Sequence, residues 1–127
     1  MSWLSFLLPK PKYNFHRVDW LDVEGKLLTI DSLARSTQQS DKQQIIIQLD
    51  KLVDAILKEA GVPGVSFGER LKFLKLKVER ESYQKLWQAH LKRNELVHDT
   101  GSFVADWEIE KHMQGYKRGI SALRGIR

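Results

Sequence analysis

The sequence predicts an all-α, up-down bundle of four to five helices. Apolar residues return every three to four positions over most of the chain beyond Asp19. Each such run is bracketed by cap or breaker residues, and only the stretch Phe73–Val78 alternates as a strand would. A chain of 127 residues, 42% of them hydrophobic, can bury one core and is too short for two.

Asp19 and Asp22 place negative charge in a first helical turn, where the backbone dipole favours it. Val23, Leu27, Ile30 and Ala34 then follow on one face, and the polar run 35–39 ends the helix. Ser40-Asp41-Lys42-Gln43 has the spacing of a capping box ahead of a stripe of Ile45, Leu49, Leu52, Val53, Ile56 and Ala60. Gly61 and Pro63 stop that second helix. The triplet Ile45-Ile46-Ile47 has strand propensity, but the period around it is helical.

The glycines of the 61–68 loop lack the Lys and Ser/Thr that a phosphate-cradling P-loop needs, so Ser66-x-x-Glu69 reads as a helix cap. Leu71, Leu74 and Val78 give a third helix its face. A fourth spans Ser82 to His98, with Tyr83, Leu86, Trp87, Leu91 and Val97 as its apolar set and Asp99-Thr100-Gly101 as its stop. The fifth starts near Asp106 and carries Ile109, Met113, Tyr116, Ile120 and Leu123, while Gly115 and Gly119 permit close approach of a neighbouring helix.

Residues 1–15 stand apart as an apolar arm followed by a proline-containing linker, and residues 16–127 form the bundle. The arm, Trp3–Leu8, stops at Pro9, far short of the ~20 apolar residues of a membrane span. Its lysines follow the apolar run rather than preceding it, unlike a secretory signal, so a cytoplasmic protein is expected. Three readings of the arm stand: packing on the domain or a partner, a shallow interfacial anchor with Lys10 and Lys12 at lipid headgroups, or a disordered start.

Cysteine is absent, which excludes disulfides, thiolate zinc sites and cysteine nucleophiles together. The four histidines have no HExxH or HxH spacing, and no metal or other cofactor is expected. Lys and Arg number 21 against 16 acids, a net charge of +5 that suits a polyanionic partner such as RNA. Residues 61–100 are its most basic part, with Lys72, Lys75 and Lys77 available for phosphate contacts or for solvated helix faces. Asp50 and Asp54, one turn apart, could serve as paired acids, but with Lys51 and Lys58 beside them they read first as a solvent-facing stripe. Arg118, Arg124 and Arg127 make a basic C-terminus that suits a helix dipole.

The densest polar cluster lies on the fourth helix: His90, Arg93, Asn94 and His98. At roughly 100° per residue, Arg93 and His98 flank a face about 140° wide, with Asn94 inside it. A histidine there can accept a proton from a 2′-hydroxyl at neutral pH. A guanidinium can grip the adjacent phosphate and counter the charge that develops on it. That pairing fits cleavage of an RNA phosphodiester. The competing reading is an ordinary helix end, in which Arg93 pairs with Glu95, Asp99 or another helix and Asn94 pairs with His98.

The run Leu91-Lys92-Arg93-Asn94-Glu95-Leu96-Val97-His98-Asp99, preceded by Tyr83-x3-Trp87, resembles the signature of HEPN domains. That superfamily carries an R-x4–6-H motif, often with asparagine after the arginine; Arg93 and His98 match the x4 form and Asn94 the polar position. The helical elements from Asp19 onward agree with a HEPN bundle in number and order. The resemblance implies a metal-independent endoribonuclease working as a two-fold homodimer with both motifs in one cleft. Arg93 and His98 would be catalytic and Asn94 supporting, and the domain would serve a toxin, defence or RNA-processing role. A small nucleotidyltransferase as antitoxin is an implied partner. Other members are inactive modules for dimerisation or for binding a nucleotide, RNA or protein. His90 and Lys92 lie outside the motif and are secondary candidates for substrate contact; His90 otherwise has a structural role. The Trp3–Leu8 arm has no counterpart in the minimal domain.

Overall fold

A computed structural model describes residues 13–99, 101 and 103–126. The arm Trp3–Leu8, the linker through Lys12, and Arg127 lie outside the described residues. Among the described residues a 3-10 turn, Phe15–Arg17, precedes five helices: α1 (Trp20–Leu33), α2 (Gln39–Glu59), α3 (Phe67–Lys72), α4 (Arg80–His98) and α5 (Asp106–Arg124). Among the described residues there is no strand, and no helix is long and apolar enough to cross a membrane.

The four long helices alternate in direction, as their cross-links require. Glu59 at the end of α2 accepts from the Asp19 amide at the start of α1, so these two run antiparallel. Along α4 and α5, Glu79 meets Arg118 and Lys92 meets Glu108, again antiparallel. Lys42 pairs with Asp106 and Asp50 with Tyr116, which makes α2 and α5 parallel. Among the described residues α2 packs against each of the other four helices. Its Ile45, Ile46, Leu49, Val53, Ile56 and Leu57 are all essentially buried. A helix apolar on so wide a face must sit at the centre.

Asp19 caps α1 by accepting from the Asp22 amide at 3.1 Å. Ser66 caps α3 in the same way through Glu69, whose carboxylate turns back to the Val65 amide. Ser40 does not cap α2. That helix begins one residue earlier, at Gln39, with Gln38 as its N-cap and no side chain capping its first turn; just before it, Ser36 accepts from the Gln38 amide and donates to Asp41.

The third helix is shorter than its apolar spacing implied. It stops at Lys72 and gives way to tight i→i+3 turns, with Leu74 buried while Phe73 and Leu76 face solvent. α4 begins at Arg80, earlier than expected, because Glu79 gathers Ser82 and Arg118 around its first turn. Leu91 and Val97, expected in the core, are 59% and 43% exposed. Leu91 lies on the outer face of α4, and Val97 is exposed in its last turn.

Gly115 and Gly119 do bring α4 and α5 together. A Cβ at Gly115 would lie 3.3 Å from the Lys85 carbonyl, and one at Gly119 would collide with the Leu86 side chain. Gly25, on the exposed side of α1, has nothing within 4 Å of such an atom. In thermal or denaturant unfolding, Gly25→Ala should therefore stabilise by roughly 0.5–1 kcal/mol. Gly119→Val should destabilise by ~1–3 kcal/mol, since Leu86 must leave its site.

Candidate functional site

The chemistry-bearing side chains meet where α4 crosses α2. Asp50 occupies a core slot of α2, on the face that carries Ile46, Val53 and Leu57, and is 4% exposed. A carboxylate so placed is tolerable only if donors converge on it. They do: Tyr116 donates to Oδ1 at 2.8 Å and His90 Nδ1 at 3.0 Å. Arg93 brings its Nε to 3.6 Å from Oδ2. One carboxylate thus ties α2 to α4 and α5. Burial, reinforced by the neighbouring negative charge, pushes the Tyr116 phenol well above its ordinary range, so it stays a donor.

Asn94 extends the network. Its Oδ1 accepts from Arg93 Nη1 at 3.0 Å, which turns its Nδ2 toward His90 Nε2 at 3.5 Å. The His90 ring is wedged edge-on between Phe67 and Trp87, at centroid distances of 4.7 and 5.9 Å. Asp50, His90, Arg93 and Asn94 line one wall of a groove of about 750 Å³. The opposite wall is the Val65–Gly68 segment.

That segment is held by a second ion pair. Asp54, one turn after Asp50, accepts from Arg70 Nε at 2.6 Å and Nη2 at 3.1 Å, and Arg70 also donates to the Gly64 carbonyl at 2.6 Å. Donating to the Asp54 carboxylate holds the Arg70 guanidinium still more firmly protonated. Gly64 has φ 147°, and a Cβ there would lie 3.0 Å from Arg70, so only glycine suits the turn. The solvent-facing stripe expected of Asp50 and Asp54 is therefore corrected: one is buried and the other is bridged to α3. Lys58 reaches Asp54 only at 3.5 Å.

The sequence candidates fall into three places. Arg93, Asn94 and His90 share the groove, with Arg93 about one-third exposed. His98 is the last residue of α4, exposed, and its side chain makes no hydrogen bond or ion pair among the described residues; Asn94 turns to His90 instead of to it. Lys92 points to α5, where it meets Glu108 at 3.1 Å and Glu95 at 3.5 Å. Burial lowers the Lys92 pKa, but those two carboxylates outweigh it and the net direction is upward.

No three His, Asp or Glu side chains among the described residues could together hold a metal ion. Of the grouped residues, Asp50 was read from the sequence first as a solvent-facing acid and Tyr116 as core, not as members of this network. The signal was present in Asp50, an acid standing in an apolar stripe. The chain matches no protein-family model, no curated protein and no solved structure.

Tyr116→Phe deletes one donor to a buried charge and should cost about 1.5–3 kcal/mol in chemical denaturation. The raised phenol pKa also fixes a sign. The unfolded chain ionises Tyr116 near ~10 while the folded chain resists, so stability is lost as pH rises past ~10. Tyr116→Phe should flatten that alkaline fall.

Proposed function

We propose that this chain is a metal-independent endoribonuclease of HEPN type, working as a homodimer with Arg93 and His98 in a shared cleft. The observation that carries the reading is the state of one helix end. α4 presents a part-exposed guanidinium on a groove and, five residues on, an imidazole with no internal partner among the described residues. At 1.5 Å of rise per residue the two positions are about 7.5 Å apart along the axis and about 140° apart around it. His98 of a second copy, brought against the Arg93 groove, closes that separation. Leu91, Val97, Phe103 and Trp107, all exposed around the α4–α5 turn or on the outer face of α4, give such a partner apolar surface to cover.

In the reaction, His98 takes the proton of the 2′-hydroxyl as that oxygen bonds to phosphorus. The P–O5′ bond breaks, the departing oxygen takes up a proton, and a 2′,3′-cyclic phosphate remains. Arg93 binds the phosphate and opposes the charge that grows on its oxygens, while Asn94 Oδ1 holds Nη1 in place. The protein would act in the cytoplasm on RNA as a toxin or defence nuclease, with a nucleotidyltransferase-type antitoxin as its partner.

A second reading has its own support. Arg93 is already engaged by Asp50 and Asn94, and His98 lies off the groove within one chain. That arrangement fits a non-catalytic HEPN-like module that dimerises and binds a nucleotide, RNA or protein.

End-labelled RNA incubated with the protein in EDTA separates the two. Cleavage leaving 2′,3′-cyclic ends should fall by ~10²-fold or more in both His98→Ala and Arg93→Ala. A folded dimer that cleaves none of a panel of RNAs supports the module instead. Light scattering tests the assembly on its own: a lone 14.8 kDa species at micromolar concentration removes the shared cleft.

A further inference from the structure

The Asp50–His90 pair does something the Arg93–His98 scheme leaves unused. Asp50 can only accept, so His90 Nδ1 must carry the proton that lies 3.0 Å from Oδ1. The same conclusion comes from the other side of the ring. Arg93 Nη1 donates to Asn94 Oδ1, which leaves the Asn94 amide nitrogen facing His90 Nε2, and an amide nitrogen can only donate. Both ends of the network therefore fix one tautomer, with Nδ1 protonated and Nε2 an acceptor. Phe67 and Trp87 bracket the ring and prevent it from turning over.

The acceptor is under-used. Its only donor among the described residues stands at 3.5 Å, the long limit of a hydrogen bond, and His90 is one of the residues that line the groove. A hydroxyl offered from the groove at ordinary distance makes a better partner. Beside it, three residues along α4, Arg93 offers cationic donors to an anion. An acceptor for a hydroxyl next to a grip for a phosphate matches the 2′-hydroxyl and 3′-phosphate of a ribonucleotide.

We propose that His90, held by Asp50 as an Nε2 acceptor, reads the ribose 2′-hydroxyl of a ligand whose phosphate lies on Arg93, so that the groove selects ribo- over deoxyribonucleotides. His90 contacts the ligand; Asp50 is a positioning residue that acts through it. The proposal builds on the RNA reading of Arg93 but concerns binding, and it requires no bond cleavage.

The test uses the full chain at neutral pH with uridine 3′-monophosphate and 2′-deoxyuridine 3′-monophosphate, by calorimetry and by NMR of ¹⁵N-histidine. The wild type should bind the ribonucleotide at least about tenfold more tightly, a hydrogen bond's worth. It should also show the Nδ1–H tautomer of His90, with the Nε2 signal moved by the ribonucleotide and not by the deoxy form. His90→Phe and Asp50→Asn, checked for folding, should bind both ligands alike, whereas Arg93→Gln should weaken both together. Equal binding of the two nucleotides by the wild type, an Nε2–H tautomer, or a tenfold preference surviving in folded His90→Phe each overturns the proposal.

The wild-type spectra decide the matter even where a variant fails to fold. Discrimination without RNA cleavage refutes only the nuclease reading. Cleavage without discrimination at His90 refutes only this one.

Discussion

The Asp50 carboxylate is the contact around which this bundle is organised. It is buried on the central helix and receives donors from both α4 and α5. Helix packing alone permits small slides along the ridges of neighbouring side chains. Three polar donors aimed at one acceptor do not, because a displaced helix would leave a buried polar group without its partner. Apolar residues of similar volume at these positions could give equal or greater stability. What the ionic arrangement adds is a fixed register, and with it a fixed direction for the His90 ring and the Arg93 side chain.

The groove has its second wall by related means. Arg70 ties α3 to α2 through Asp54 and gathers the preceding loop through the Gly64 carbonyl. Two acids one turn apart on α2 thus each place one wall: Asp50 the α4 side and Asp54 the loop side. The short α3 follows from this. Once Arg70 and Leu71 are anchored, the chain has only to reach the start of α4, and a run of tight turns does so with Leu74 buried.

Much of the fold was legible from spacing. The apolar stripes of α2 and α5, the acidic start of α1, the cap at Ser66 and the close approach at Gly119 follow from local rules and one neighbour. What local rules could not give is how far each helix is covered. Leu91 and Val97 fit the α4 period, yet the exposed flank and the last turn of α4 leave them in solvent. The capping box at Ser40 failed because the helix starts before it, at Gln39, and Asp41 is drawn to the Ser36 hydroxyl of the preceding turn, a contact that a four-residue pattern cannot see. At the site, the motif on α4 singled out Arg93 and Asn94, which share the groove with His90, and His98, which does not line it. Asp50 was misread because charge was weighed above position: its place in line with Ile46 and Val53 was the better guide.

The division of α4 into two regions bears most directly on function. His90, Arg93 and Asn94 are tied into one network with Asp50, and their geometry is set by the fold. Past that point Val97 and His98 are exposed. A group that must grip a ligand benefits from the first environment, where its rotamer is fixed before the ligand arrives. A group that must exchange protons, or meet a partner subunit, benefits from the second. Arg93 stands at the boundary, part-held by Asp50 and part-exposed. A ligand phosphate must therefore compete with Asp50 for the guanidinium. The 3.6 Å separation at Nε, longer than a hydrogen bond, makes that competition winnable without unfolding the contact that fixes the register.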